Sequence, residues 1–98
     1  MAEYICLVKE GAEAEDILRK DFDISAKQSI TVRESSTLGL KTHGTVIFVR
    51  GSEEGVSKCK ELLSPFLLEA KSEELEAAKK KILEGEEKAL EGFGGIFG

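Results

Sequence analysis

Thr45-Val46-Ile47-Phe48-Val49 decides the fold of this chain. The run is β-branched and aromatic, is bounded by Gly44 and by Arg50-Gly51, and reads as a buried strand. Ser52 stands where a helix cap is needed. Behind it come Glu53 and Glu54, then Val56, Cys59, Leu62 and Leu63 at helical spacing. Near the amino end, Tyr4-Ile5-Cys6-Leu7-Val8 has the same character. Glu10-Gly11 breaks it, and residues 12–22 then carry Ile17, Leu18 and Phe22 on one helical face, with Asp21-Phe22-Asp23 closing the helix. Ile5-Cys6-Leu7-Val8-Lys9 aligns position by position with Val46-Ile47-Phe48-Val49-Arg50, and each is followed by Gly and an acidic helix start. The chain reads as two strand-to-helix units under the same constraints, or as an old duplication.

Between these units, Ser29-Ile30-Thr31-Val32-Arg33-Glu34 alternates at period two, as a half-exposed strand does. Residues 35–44 are polar and contain glycine, and read as a long loop. Ser64-Pro65 ends the second helix, because proline cannot continue it without cost. Residues 66–70 are open to two readings, a short fourth strand or a new helix with Pro65 in its first turn. With the strand, the order β-α-β-β-α-β predicts an α+β, ferredoxin-like sandwich on an antiparallel sheet. Residues 72–91 then form a charged helix with a thin stripe of Leu75, Ala78, Ile82 and Leu90. The predicted organisation is a sandwich over 1–70, a charged helix over 71–91 and a Gly-rich apolar tail over 92–98.

Strand alternation has a consequence for function. Cys6 and Val8 face one side of the first strand, Ile5 and Leu7 the other. Ile47 and Val49 face one side of the later strand, Val46 and Phe48 the other. Two helices cover only one side. Ile5, Leu7, Val46 and Phe48 therefore predict an interface, most simply with a second copy in a homodimer. If the carboxy-terminal helix covers that face instead, Leu75 and Ile82 should touch those strands.

The length of 98 residues fits one domain, and 41% apolar with 34% charged residues suits a folded chain. No apolar run reaches membrane-spanning length and Met1-Ala2-Glu3-Tyr4 lacks a basic signal region, so the expected location is the cytoplasm. A net charge of −5 argues against nucleic acid as a partner. The absence of Asn and the abundance of Glu and Lys resemble thermophile composition, archaeal or bacterial. Cys6 and Cys59 sit in apolar stretches and read as packed thiols. They make no metal-ligand spacing with His43, the single histidine. No nucleophile-base constellation is visible, so the chain is expected to be non-enzymatic, with no cofactor and no metal.

The carboxy-terminal stretch is Gly92-Phe93-Gly94-Gly95-Ile96-Phe97-Gly98. Phe93, Ile96 and Phe97 stand at i, i+3 and i+4, so one helical turn would align them as partner-binding anchors. With Lys79-Lys80-Lys81 and the Glu-rich residues 84–91 before it, this tail resembles that of the acidic ribosomal stalk proteins of archaea. In that family the tail binds translational GTPases in a hydrophobic groove, and the resemblance implies the same mode here. It covers the last quarter of the chain. The first seventy residues differ from that family's all-helical dimerisation unit. A second reading makes the chain a small-ligand regulatory domain of the ACT-like type. Its site would be a dimer interface with the 35–44 loop, where Lys41 and His43 would hydrogen-bond a polar ligand.

Overall fold

The computed structural model describes the backbone of residues 2–20 and 28–97, and the side chains of residues 2–20 and 28–85. In chain order it contains β1 (Ala2–Val8), α1 (Gly11–Lys20), β2 (Ser29–Glu34), β3 (Thr45–Gly51), α2 (Glu53–Leu63) and α3 (Ser72–Phe97). Short 3-10 turns occupy Ser35–Leu38 and Ser64–Phe66. The three strands form one antiparallel sheet in the order β1-β3-β2. Cys6 stands opposite Ile47, Ile5 opposite Phe48 and Val32 opposite Ile47, so β3 is the central strand. The predicted residues 21–23 lie outside the described residues.

The β1–α1 turn is tight. Glu10 takes a left-handed φ of 50°, and the Ala14 N–H donates to its carbonyl at 3.0 Å. A Cβ on Gly11 would fall inside the Thr45 side chain, so only glycine fits between this turn and the start of β3. At α2 the expected cap is in place, with Ser52 Oγ accepting from the Gly55 N–H at 3.0 Å.

Alternation sorts the strand residues as the sequence demands. Cys6, Val8, Ile47 and Val49 form one core with Ala14 and Leu18 of α1 and Val56, Cys59 and Leu63 of α2. Ile30 and Val32 pack half-buried against its margin. Leu7, Val46 and Phe48 point the other way and form a second core with Leu38, Ala78 and Ile82.

The fourth strand is reduced to one antiparallel bridge, Val8 to Leu67. The Lys9 N–H donates to the Phe66 carbonyl and the Leu68 N–H to the Leu7 carbonyl, each at 2.9 Å. The cause is local. Pro65 holds Ser64–Phe66 in a 3-10 turn, and the chain must leave again to begin α3 at Ser72. Leu67 and Leu68 lie along β1 before the chain turns away through residues 69–71, and strand pairing lengthens no further.

Residues 35–44 also differ from a plain solvated loop. Ser35 and Leu38 are buried, and Leu40 packs half-buried against the second core. Ser35 Oγ accepts from the Gly44 N–H at 3.0 Å, and Gly39 ends the turn at a φ of 78°. The Lys81 ammonium reaches over from α3 and donates to the Leu38 carbonyl at 2.8 Å.

Candidate functional site

Leu7, Val46 and Phe48, expected at a homodimer interface, are 1% exposed or less. Their cover is α3 of the same chain, with Ala78 and Ile82 buried and Leu75 and Leu83 half-buried against them. Ile5 is half-buried in the same cluster. This corrects the interface expectation for that face. The stripe Leu75, Ala78 and Ile82 is spaced to lie along the sheet, and intramolecular closure costs far less entropy than recruiting a second molecule.

α3 does not seal the sheet at its amino end. An open groove of about 310 Å³ remains, lined by Glu3, Ile5, Phe48, Leu75, Glu76 and Lys79 among others. Lys79 pairs with Glu3 across it, and the Glu3 carboxylate raises the Lys79 pKa. The Arg50 guanidinium lies 5.2 Å from the centre of the Phe48 ring. The groove thus has an apolar floor and a charged strap. No sequence pattern announces it, because Glu3 and Lys79 are far apart in the chain and meet only through the docking of α3.

A second groove, about 410 Å³, lies between Thr42 and the segment Glu69, Ala70, Lys71 and Glu74. Of the 35–44 loop only Thr42 lines it. Lys41 and His43 stand exposed, and the dimer face that the ligand reading paired with them lies under α3. The side chains of Phe93, Ile96 and Phe97 lie outside the described residues.

The thiols are poor nucleophiles. Burial pushes Cys6 up to about 12, against the lowering effect of its hydrogen bond with Tyr4. Burial and the neighbouring Cys6 push the Tyr4 phenol up to about 12 as well. Cys59 is fully buried. Among the described residues no group of three or more His, Cys, Asp or Glu side chains could hold a metal ion. No buried side-chain nitrogen or oxygen among them lacks a hydrogen-bond partner. No helix among them is long and apolar enough to cross a membrane. Comparisons with protein-family models, with curated proteins and with solved structures return no match.

Proposed function

We propose that this chain is a non-enzymatic interaction module of the cytoplasm, presenting Phe93, Ile96 and Phe97 to a protein partner. The observation that carries the reading is how far α3 extends beyond those of its described residues that join the second core. Ala78 and Ile82, with Leu83 beside them, complete the cover of Leu7, Val46 and Phe48. Glu84 and Gly85 are exposed, and a Cβ on Gly85 would meet nothing within 4 Å. The helix nevertheless continues to Phe97, about 18 Å further at the usual rise per residue. Ala78 and Ile82 already join the second core before that extension begins, and in this reading the extension serves a partner. The body that holds the helix is a ferredoxin-like sandwich in our assignment. Its strand order and antiparallel sense fit that topology, with the last strand shortened to the Val8–Leu67 bridge.

The likeness of the tail to the archaeal stalk proteins supports a translational GTPase as the partner. Three anchors contribute about 5–8 kcal/mol gross on burial. Ordering a Gly-rich peptide takes back about 2–5 kcal/mol. The net of at most about 6 kcal/mol puts binding at tens of micromolar at the tightest, weakening through millimolar. The test is calorimetric titration of an archaeal translational GTPase with the full chain and with a chain ending at Glu91. Binding by the full chain, lost on truncation with an unchanged melting temperature, supports the reading. Equal binding by both, with a lower melting temperature after truncation, makes the last residues structural and ends it.

A further inference from the structure

The sheet has two edges, and the chain treats them differently. On the outer side of β1, Lys9 and Leu7 are engaged by Phe66 and Leu68. On the outer side of β2, no backbone group among the described residues pairs with the strand. β2 also lacks two of the devices that protect an edge. Its pairing with β3 is regular from Ser29 to Glu34, with no bulge and no proline.

The direction of each backbone group follows from the register. The Ser35 N–H donates to the Gly44 carbonyl at 3.0 Å, which makes 35 and 44 a hydrogen-bonded pair continuing the ladder. Antiparallel pairs alternate, so Ser29, Thr31 and Arg33 turn their N–H and C=O groups toward β3. Ile30, Val32 and Glu34 turn theirs outward. Two outward carbonyls have local cover. Arg33 donates from its guanidinium to the Val32 carbonyl at 2.8 Å, and Thr37 Oγ1 donates to the Glu34 carbonyl at 2.7 Å. Thr37 therefore ends the free edge at Glu34, whereas the exposed Arg33 contact can be exchanged for a partner's N–H.

We propose that β2 is a dimerisation edge, at which a second copy of this chain adds its own β2 antiparallel about a two-fold axis through Thr31. The side chains select this register. With Thr31 opposite Thr31, Ile30 meets the other copy's Val32 in a hydrogen-bonded pair on the α1–α2 side. Ser29 meets Arg33 on the α3 side. Apolar groups meet apolar groups and no like charges oppose. Moving the axis to Val32 would put Ile30 opposite Glu34, and moving it to Arg33 would put two guanidinium groups face to face. Ile30 and Val32 are half-buried at the margin of the first core. A second β2 would complete their burial and join two sheets of three strands into one continuous sheet. The identity of the occupant follows from this internal symmetry, since an unrelated strand has no reason to match a pattern centred on Thr31. The inference is independent of the role of the carboxy-terminal residues.

The test is sedimentation equilibrium of the full chain over a wide concentration range, with three variants. The wild-type chain should dimerise reversibly. Ser29→Arg places an arginine opposite Arg33 twice per dimer and should weaken association about fivefold; Ser29→Glu should strengthen it by a similar factor. Ser29 is exposed, so both variants should keep the wild-type circular dichroism. Thr31→Cys sits at a non-hydrogen-bonded pair on the axis, where Cα atoms approach to about 4.5 Å, close enough for a disulfide. Mild oxidation should give a covalent dimer, whereas Arg33→Cys should not cross-link. A monomer at all concentrations overturns the proposal. So does a dimer indifferent to both Ser29 variants, or a Thr31→Cys chain that stays monomeric under oxidation.

Discussion

One face of the sheet is covered by α1 and α2, the other by α3 and the 3-10 turn at Ser35–Leu38. Each of α1 and α2 follows directly after a strand, and the two units interlock, with α1 packing on β3 and α2 on both β1 and β3. The second face waits for a helix from the far end of the chain. Among the described residues its cover rests chiefly on Leu38, Ala78 and Ile82, with Lys81 tying the two covering elements together. The first face holds the buried thiols Cys6 and Cys59 and the half-buried Tyr4 phenol; the buried members of the second core cluster are all hydrocarbon among the described residues. Hence the first face is a core formed by the strand-to-helix units themselves, and the second is a hydrocarbon seam closed by a late-arriving strap. The two should fail under different insults.

The largest effect should come from removing the strap. A chain ending at Lys71 bares Leu7, Val46 and Phe48, each worth about 1.5–3 kcal/mol of burial. Against a total stability of about 5–15 kcal/mol for an ordinary domain, this should leave a chain that aggregates or binds a hydrophobic dye. A soluble, cooperatively melting product would break the comparison. Single core deletions come next. Phe48→Ala on the second face should cost about 3–5 kcal/mol, and Leu18→Ala on the first about 2–5 kcal/mol, read as shifts of the urea midpoint. The comparison sharpens in hydrogen exchange. Phe48→Ala should release the amides of α3 first, and Leu18→Ala those of α1 and α2.

Alkali should act mainly on the first face, the exposed Lys79–Glu3 pair being the lesser contribution from the second. The ordinary value for Cys6 is 9.0, and the folded chain raises it to about 12. Above pH 9 the unfolded thiol loses its proton while the folded one keeps it, so the unfolded state binds fewer protons. Stability is whole below that window and falls as pH rises through it, by up to about 1.4 kcal/mol per pH unit. Tyr4, raised from 10.0 to about 12, adds to the decline in the upper part of the window. Urea midpoints between pH 7 and 11 should fall, and Cys6→Ala should flatten the slope; an unchanged slope would remove Cys6 as its cause. The smallest expected effects belong to single hydrogen bonds at the covers. Ser52→Ala takes the cap from α2 and should cost about 1 kcal/mol. Lys81→Met removes the tie to Leu38 and should cost about 1 kcal/mol. In hydrogen exchange Ser52→Ala should loosen α2 and Lys81→Met the Ser35–Leu38 turn, each without the other.

The sequence by itself determined the three strands, the helices that follow β1 and β3, and the sorting of Cys6, Val8, Ile47 and Val49 away from Leu7, Val46 and Phe48. These depend on local order, namely side-chain alternation, helical spacing, the Ser52 cap and the Pro65 stop. It also showed that a second apolar face needed a cover and named Leu75 and Ile82 as one candidate cover. It could not choose between that helix and a second copy, because apolar area has no direction and any complementary surface satisfies it. Only the tertiary structure decided for α3, buried Leu38 within a polar-looking loop, shortened the fourth strand to one bridge, and brought Glu3 to Lys79. Each of these depends on residues distant in the chain meeting in space, and spacing along the sequence carries no record of that.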